Sequence, residues 1–134
     1  MQPILSVEDL TVQFGASHGS RLHPAVCGVS LNVCRGEVLG LVGESGSGKS
    51  VTLRSIPGLT RRYGKLSGRV LWQGEDLMAM PESAMRPILG KDIAMIFQEP
   101  MTSLNPVLTI GHQIGETLRL HQKLSKTDAT AREV

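Results

Sequence analysis

Gly43, Gly46, Gly48, Lys49 and Ser50 fall within eight consecutive positions, in the stretch "LVGESGSGKSVTL" at 41–53. They satisfy G-x-x-x-x-G-K-[ST], a spacing with a specific physical use. Glycines let a loop curl until successive backbone N–H groups converge on phosphate oxygens. A helix that starts at the lysine adds the positive end of its dipole. The Lys49 ammonium is then a point charge for the terminal phosphates, and the Ser50 hydroxyl is a ligand for Mg²⁺. The chemistry implied is the binding of a nucleoside triphosphate.

A second polar residue stands in a similar context. Gln98 directly follows the apolar run "IAMIF" at 93–97 and opens "QEPMTSLNP". At the end of a buried strand it could reach a site built on a neighbouring strand's loop, or simply end the strand. Other candidates are weaker. Cys27 and Cys34 are seven apart, an odd spacing that on one strand sends the side chains to opposite faces, so they read as reduced and structural. The histidines His18, His23, His112 and His121 read as surface or helix polar residues, and Arg61-Arg62 as a solvated turn. The "SKTD" at 125–128 imitates the base-reading motif of GTPases but follows an amphipathic stretch rather than a buried strand. No G-x-G-x-x-G occurs, so a dinucleotide fold has no support.

The elements that must position these groups follow from periodicity. Ile4 to Phe14 reads as a strand with a break near Glu8-Asp9, and 15–24 as a loop. Ala25 to Val33 alternates apolar and polar, a half-buried strand antiparallel to the first, and Arg35-Gly36 makes a turn. "EVLGLV" at 37–42 and Asp92 to Phe97 run apolar without alternation, as strands of a parallel sheet covered on both faces do. Helices are expected at Lys49–Ile56, stopped by Pro57-Gly58, at Glu82–Met85 and at Thr109–His121, with a further strand near Arg69–Trp72. Antiparallel strands followed by parallel strands with helices make a mixed α/β domain.

Composition narrows the class. Hydrophobic residues are 40 % and charged residues 19 % of the 134, the balance of a globular chain of one domain. Fourteen basic against twelve acidic residues leave a net charge of +2, which argues against a nucleic-acid surface. The longest wholly apolar run is far shorter than the roughly 20 residues of a membrane helix. With no basic leader either, a cytoplasmic protein is expected, meeting a membrane only through a partner.

With both motifs in view, the chain resembles the ATP-binding subunits of ABC transporters. It is most similar to the branch serving bacterial importers of dipeptides, oligopeptides, glutathione and nickel. "LGLVGESGSGKS" and "IFQEPMTSLNP" carry the resemblance, framed by "AVCGVSLNV", "RGE" and "GEDL", and it runs from about Leu5 to Val134. The resemblance implies a P-loop α/β fold of ABC type: N-terminal antiparallel strands, part of the parallel core sheet, and the start of the helical subdomain. It implies that Gly43, Glu44, Ser45, Gly46, Ser47, Gly48, Lys49 and Ser50, with Val51 after them, form the ATP-phosphate loop. By the same resemblance Gln98 becomes the glutamine that touches Mg²⁺ or the attacking water and senses the membrane subunit. Phe14 takes the place of the aromatic that stacks on adenine, while Phe97 reads as core, and Trp72 and Tyr63 as structural. The implied cofactors are ATP and Mg²⁺, and the implied partners are permease subunits and a second ATP-binding subunit, at the cytoplasmic face of the inner membrane.

Three parts of the family pattern are not found in the 134 residues: an LSGGQ-type segment, an Asp-Glu after a Walker B strand, and a late switch histidine. "KLSGRV" at 65–70 precedes Gln98 and lacks the second glycine and the glutamine; Glu99 belongs to the glutamine loop. Residues 1–134 therefore read as one partial ATP-binding domain, with exposed apolar surface, marginal stability and no multiple turnover of its own. An unrelated P-loop kinase is the remaining alternative, and Arg61-Arg62 would be its only basic cluster.

Overall fold

Alternating valines and leucines build the sheet of the first unit. The computed structural model describes residues 2–15, 21–98 and 104–122. The described residues form four strands and three helices, in two compact units, 1–81 and 82–134.

In the first unit, β1 (Leu5–Phe14) is flanked by β2 (His23–Val33) on one side and β3 (Gly64–Trp72) on the other, both antiparallel. A two-residue strand, β4 (Glu75–Asp76), pairs with the end of β3, giving the order β2-β1-β3-β4. Val7 pairs with Leu31 and Val70, and Val12 with Val26 and Leu66. These rungs, with Leu10, Ile56 and Leu77, hold the buried apolar core. The break expected at Glu8-Asp9 is a bulge: the register slips between Glu8 and Thr11, and Asp9 is left-handed at φ 48°. The Ser30 hydroxyl accepts from the Asp9 N–H at 2.9 Å and ties the bulge to β2.

Helix α1 (Lys49–Ser55) begins and ends where the sequence signals fall. Gly48 precedes it in the left-handed conformation, with its carbonyl accepting from the Thr52 N–H at 2.8 Å. Beyond it Gly58, at φ 77°, closes a Schellman pattern: the Leu59 N–H donates to the Arg54 carbonyl and the Gly58 N–H to that of Ser55, both at 3.0 Å. The Arg35-Gly36 turn forms as well, with the Glu37 N–H donating to the Cys34 carbonyl at 3.1 Å.

Several expectations differ from what is observed. The segment 37–42 is not a strand and is exposed; Val38 and Val42 are 95 % and 98 % accessible. Nor is 92–97, where an isolated parallel bridge between Leu89 and Ile93 is the one trace of parallel pairing among the described residues. An apolar run becomes a strand only when another strand takes its N–H and C=O groups, and no described strand flanks these two. Phe97, expected in the core, is 41 % accessible. Along β2, Gly28 at φ 63° shifts the alternation, so Val26 is buried and Cys27 is exposed. Both cysteines are free.

The second unit carries α2 (Glu82–Met85) and α3 (Ile110–Gln122). Thr109 caps α3, its hydroxyl accepting from the His112 N–H at 3.3 Å. The Gln113 amide reaches back to the backbone of Asn105, accepting from its N–H at 2.9 Å and donating to its carbonyl at 3.1 Å. Near its end, His121 lies against Gly90: a methyl group on Gly90 would sit 2.7 Å from Nε2. Among the described residues no helix is long and apolar enough to cross a membrane.

Candidate functional site

The loop from Gly43 to Gly48 curls around the side chain of its own lysine. The Lys49 ammonium donates to the carbonyls of Gly43 and Glu44, both at 2.6 Å, and to the Ser47 hydroxyl at 3.1 Å. Three oxygens from a five-residue arc on one nitrogen require a tight curl, and the Ser47 N–H to Glu44 carbonyl bond at 3.2 Å closes it. The positive charge is thus held inside the concavity.

Each glycine answers a different demand. At Gly43 the limit is space, since a methyl group there would lie 2.8 Å from the Ser47 Oγ. At Gly46 it is conformation: φ is 82°, and the surrounding space is open. Gly48 meets both limits, with φ 89° and a would-be methyl 2.6 Å from the Ala25 carbonyl oxygen and 3.4 Å from Val26 Cγ2. The last glycine therefore rests directly on β2, which buttresses the loop from below.

That contact fixes the loop relative to the sheet. Val26, touched by Gly48, is the cross-strand partner of Val12, and Phe14 lies two residues beyond Val12 on β1. Side chains two apart on a strand share a face, so Phe14 and the loop are on the same side of the sheet. Phe14 is half-buried, Ser50 is exposed in the first turn of α1, and Val51 is half-buried behind it. Glu44, Ser45, Gly46 and Ser47 are exposed to solvent.

The first unit thus places Phe14 and the segment Gly43–Val51 on one side of its sheet. Gln98 belongs to the second unit, where it is exposed in a bend after 93–97. Glu99 lies outside the described residues, as do His18 and the "SKTD" segment. No group of three or more His, Cys, Asp or Glu that could hold a metal occurs among the described residues. "KLSGRV" is part of β3, so it is a sheet segment rather than a ligand loop.

Arg61 corrects the solvated-turn reading. It is half-buried and donates to the Met80 carbonyl at 3.0 Å and to the Leu77 carbonyl, clamping the turn after α1 to the segment after β4. No sequence signal marks this, because the acceptors are backbone atoms remote in the chain. A guanidinium so occupied is a poor candidate for a kinase lid. Tyr63, expected to be structural, is 75 % accessible.

A model of the ABC transporter family matches residues 26–134. Among curated proteins, the chain is 51 % identical over 133 residues to the peptidoglycan transport ATP-binding protein YejF of Agrobacterium fabrum, covering 98 % of this chain and 24 % of that protein. It is 48 % identical over 131 residues to the dipeptide transport ATP-binding protein DppD of Bacillus subtilis, covering 96 % of this chain and 38 % of DppD. Among solved structures, a dimeric bacterial ABC transporter cassette aligns with a TM-score of 0.77 at 24 % identity, over 96 % of this chain and 53 % of the cassette. The chain therefore spans well under half the length of those curated relatives and about half of the solved cassette, whose likeness shows the fold.

Proposed function

The chain belongs to the ABC transporter family, and from that premise we propose that it supplies the ATP-phosphate cradle of an importer that takes up peptides or related solutes. The observation that supports this most is the Gly43–Gly48 loop drawn around the Lys49 ammonium by three oxygens, with its last glycine seated on β2. A polyphosphate suits that concavity because the Lys49 charge is central to it and the left-handed Gly46 and Gly48 keep the loop curled around that charge. ATP bound there would supply a γ-phosphoryl group for transfer to water. Lys49 would hold its β- and γ-phosphates, and the half-buried ring of Phe14, on the same face of the sheet, would stack on the base.

Mg²⁺ fits the donor set in a limited way. Ser50 offers one hydroxyl, and with no acidic cluster among the described residues the ion would be held chiefly by phosphate oxygens and water. Gln98 is the further residue proposed to face Mg²⁺ or the attacking water and to report to the membrane subunit. Permease subunits and a second ATP-binding subunit are the proposed partners, at the cytoplasmic face of the inner membrane. The names of the relatives, a peptidoglycan and a dipeptide transport ATP-binding protein, support that assignment of class.

A second reading concerns the chain by itself. With no Walker B Asp-Glu and no LSGGQ segment in its 134 residues, it binds the nucleotide without multiple turnover. Titration of Mg-ATP against the chain and against Lys49→Ala tests the first reading: binding is expected in the former and a loss of at least about tenfold in the latter, in line with a charge-assisted contact. Equal affinities would overturn the cradle. Steady phosphate release that depends on Lys49 would overturn the second reading and leave the first intact.

A further inference from the structure

Phe14 does not stand alone at the end of β1. Its rung in the sheet runs from His23 on β2 through Phe14 to Gly64 on β3. Residues directly opposite one another in an antiparallel pair project to the same face. Two positions of this rung therefore carry rings toward the face that bears the phosphate loop, and the third carries nothing. The Phe14 ring fills the missing position: a methyl group built on Gly64 would lie 2.8 Å from its Cε1 and 3.0 Å from its Cδ1. The ring rests with one edge on bare backbone, and no real side chain tolerates that approach.

Gly64 is unlike the loop glycines in one respect. Its φ is not in the left-handed region that favours glycine, so its backbone would accept alanine without strain. The chief demand on Gly64 is the space the ring takes; a methyl would also come 3.2 Å from the Gln13 carbonyl oxygen, a tight approach that a shift of a few tenths of an ångström relieves. A half-buried ring at a strand end can escape a clash by swinging about its first side-chain torsion, whereas one locked in a core cannot. A methyl group at 64 would then reorient the ring and leave the sheet standing.

We propose that Gly64 is a specificity-determining residue of the nucleotide site: it orients Phe14 for stacking on the base and makes the cradle prefer a nucleoside triphosphate to a bare polyphosphate. The proposal rests on the reading that Phe14 stacks on the base. Gly64 touches no ligand and acts as a positioning residue through the ring. Its contribution is confined to the base, because the triphosphate is held by the loop and Lys49.

The test compares Mg-ATP with Mg-tripolyphosphate, which has the phosphates and no base, on the full chain and on Phe14→Ala, Gly64→Ala and the double variant. Base stacking on an aromatic ring corresponds to about a 5- to 150-fold change in affinity on alanine substitution. Phe14→Ala should weaken ATP within that range. Gly64→Ala should weaken it by a comparable factor, and both should leave tripolyphosphate within about twofold of the unsubstituted chain. The double variant should be no worse than the weaker single one, since both remove one contact. Unchanged ATP affinity in Gly64→Ala, additive losses, or equal losses of both ligands would overturn the role of Gly64 while Phe14 keeps its own. An unchanged ratio of the two ligands in Phe14→Ala would overturn the stacking reading itself, and absence of tripolyphosphate binding by the unsubstituted chain would overturn the cradle.

Discussion

Three glycines in one loop look interchangeable in the sequence, and the structure separates them by what a methyl group would meet. Gly46→Ala meets open space and only forces a non-glycine residue into the left-handed region, at a cost of about 1–2 kcal/mol. Asparagine, which tolerates that region, should restore part of it. Gly48→Ala carries the same conformational cost and also drives the loop off the Ala25 carbonyl, so it should lower both urea stability and triphosphate affinity more than Gly46→Ala. Equal losses would show that β2 does not buttress the loop. The loop was legible in the sequence because its chemistry lies in consecutive residues. Arg61 was not, since its acceptors are the carbonyls of Leu77 and Met80, and any residue offers a carbonyl. Arg61→Ala should cost about 1–3 kcal/mol in the unfolding of the first unit, because a charge-assisted pair of bonds is lost and two carbonyls are left without it. A change within about 0.5 kcal/mol, the range of an ordinary surface substitution, would return Arg61 to the solvated turn.

Elements were legible in proportion to how local their causes are. β1 and β2 alternate, a turn sits between the second strand and the loop, and the bulge at Asp9 falls where Glu8-Asp9 interrupts the apolar pattern. Helix α3, expected over Thr109–His121, runs Ile110–Gln122, with Thr109 as its cap. The segments 37–42 and 92–97 show the opposite case. Their apolar runs have the composition of buried parallel strands, yet a strand is a property of a pair, and periodicity says nothing about whether the partner is at hand. β3 is longer than the strand expected near Arg69–Trp72 for a related reason: glycines at 64 and 68 interrupt the apolar pattern, yet Gly64 makes room for Phe14, and Gly68 lies where a methyl would come 2.5 Å from the Glu8 and Asp9 carbonyls at the bulge. Helix α3 also has an entry lock that only the structure displays. The Gln113 amide ties the first turn to Asn105 and to the Leu108 carbonyl at 3.1 Å. Thr109→Ala and Gln113→Ala should each destabilise the helix by about 1 kcal/mol, read as faster amide exchange in 110–116, the cap being worth that much in a typical helix. Exchange in the first unit should not respond.

Burial is unevenly shared along the chain, and this governs its behaviour in solution. Of the buried hydrophobic residues among the described ones, Val7, Leu10, Val12, Val26, Ile56, Val70 and Leu77 belong to the first unit and Met85 to the second. The free energy of apolar burial is therefore concentrated in 1–81, and slow amide exchange should be found on β1 and its neighbours rather than on α3. At the same time Val38, Val42 and Ile96 are 95 %, 98 % and 98 % accessible, within segments whose composition favours strands. Exposed, apolar and β-prone segments outside a sheet are templates for pairing with another chain. The chain should accordingly self-associate with rising concentration, seen as a concentration-dependent sedimentation coefficient. Replacing Val38, Val42 and Ile96 together by threonine keeps the β-branched shape and removes most of the apolar gain. That variant should sediment as a monomer over the same range. Because these side chains bury almost nothing, its urea unfolding should shift by no more than about 0.5 kcal/mol, the margin of a surface change. A monomeric unsubstituted chain would show that the exposed segments are harmless. A large loss of stability in the triple variant would show that they are packed in solution, and either result would overturn the link between these exposed apolar segments and association.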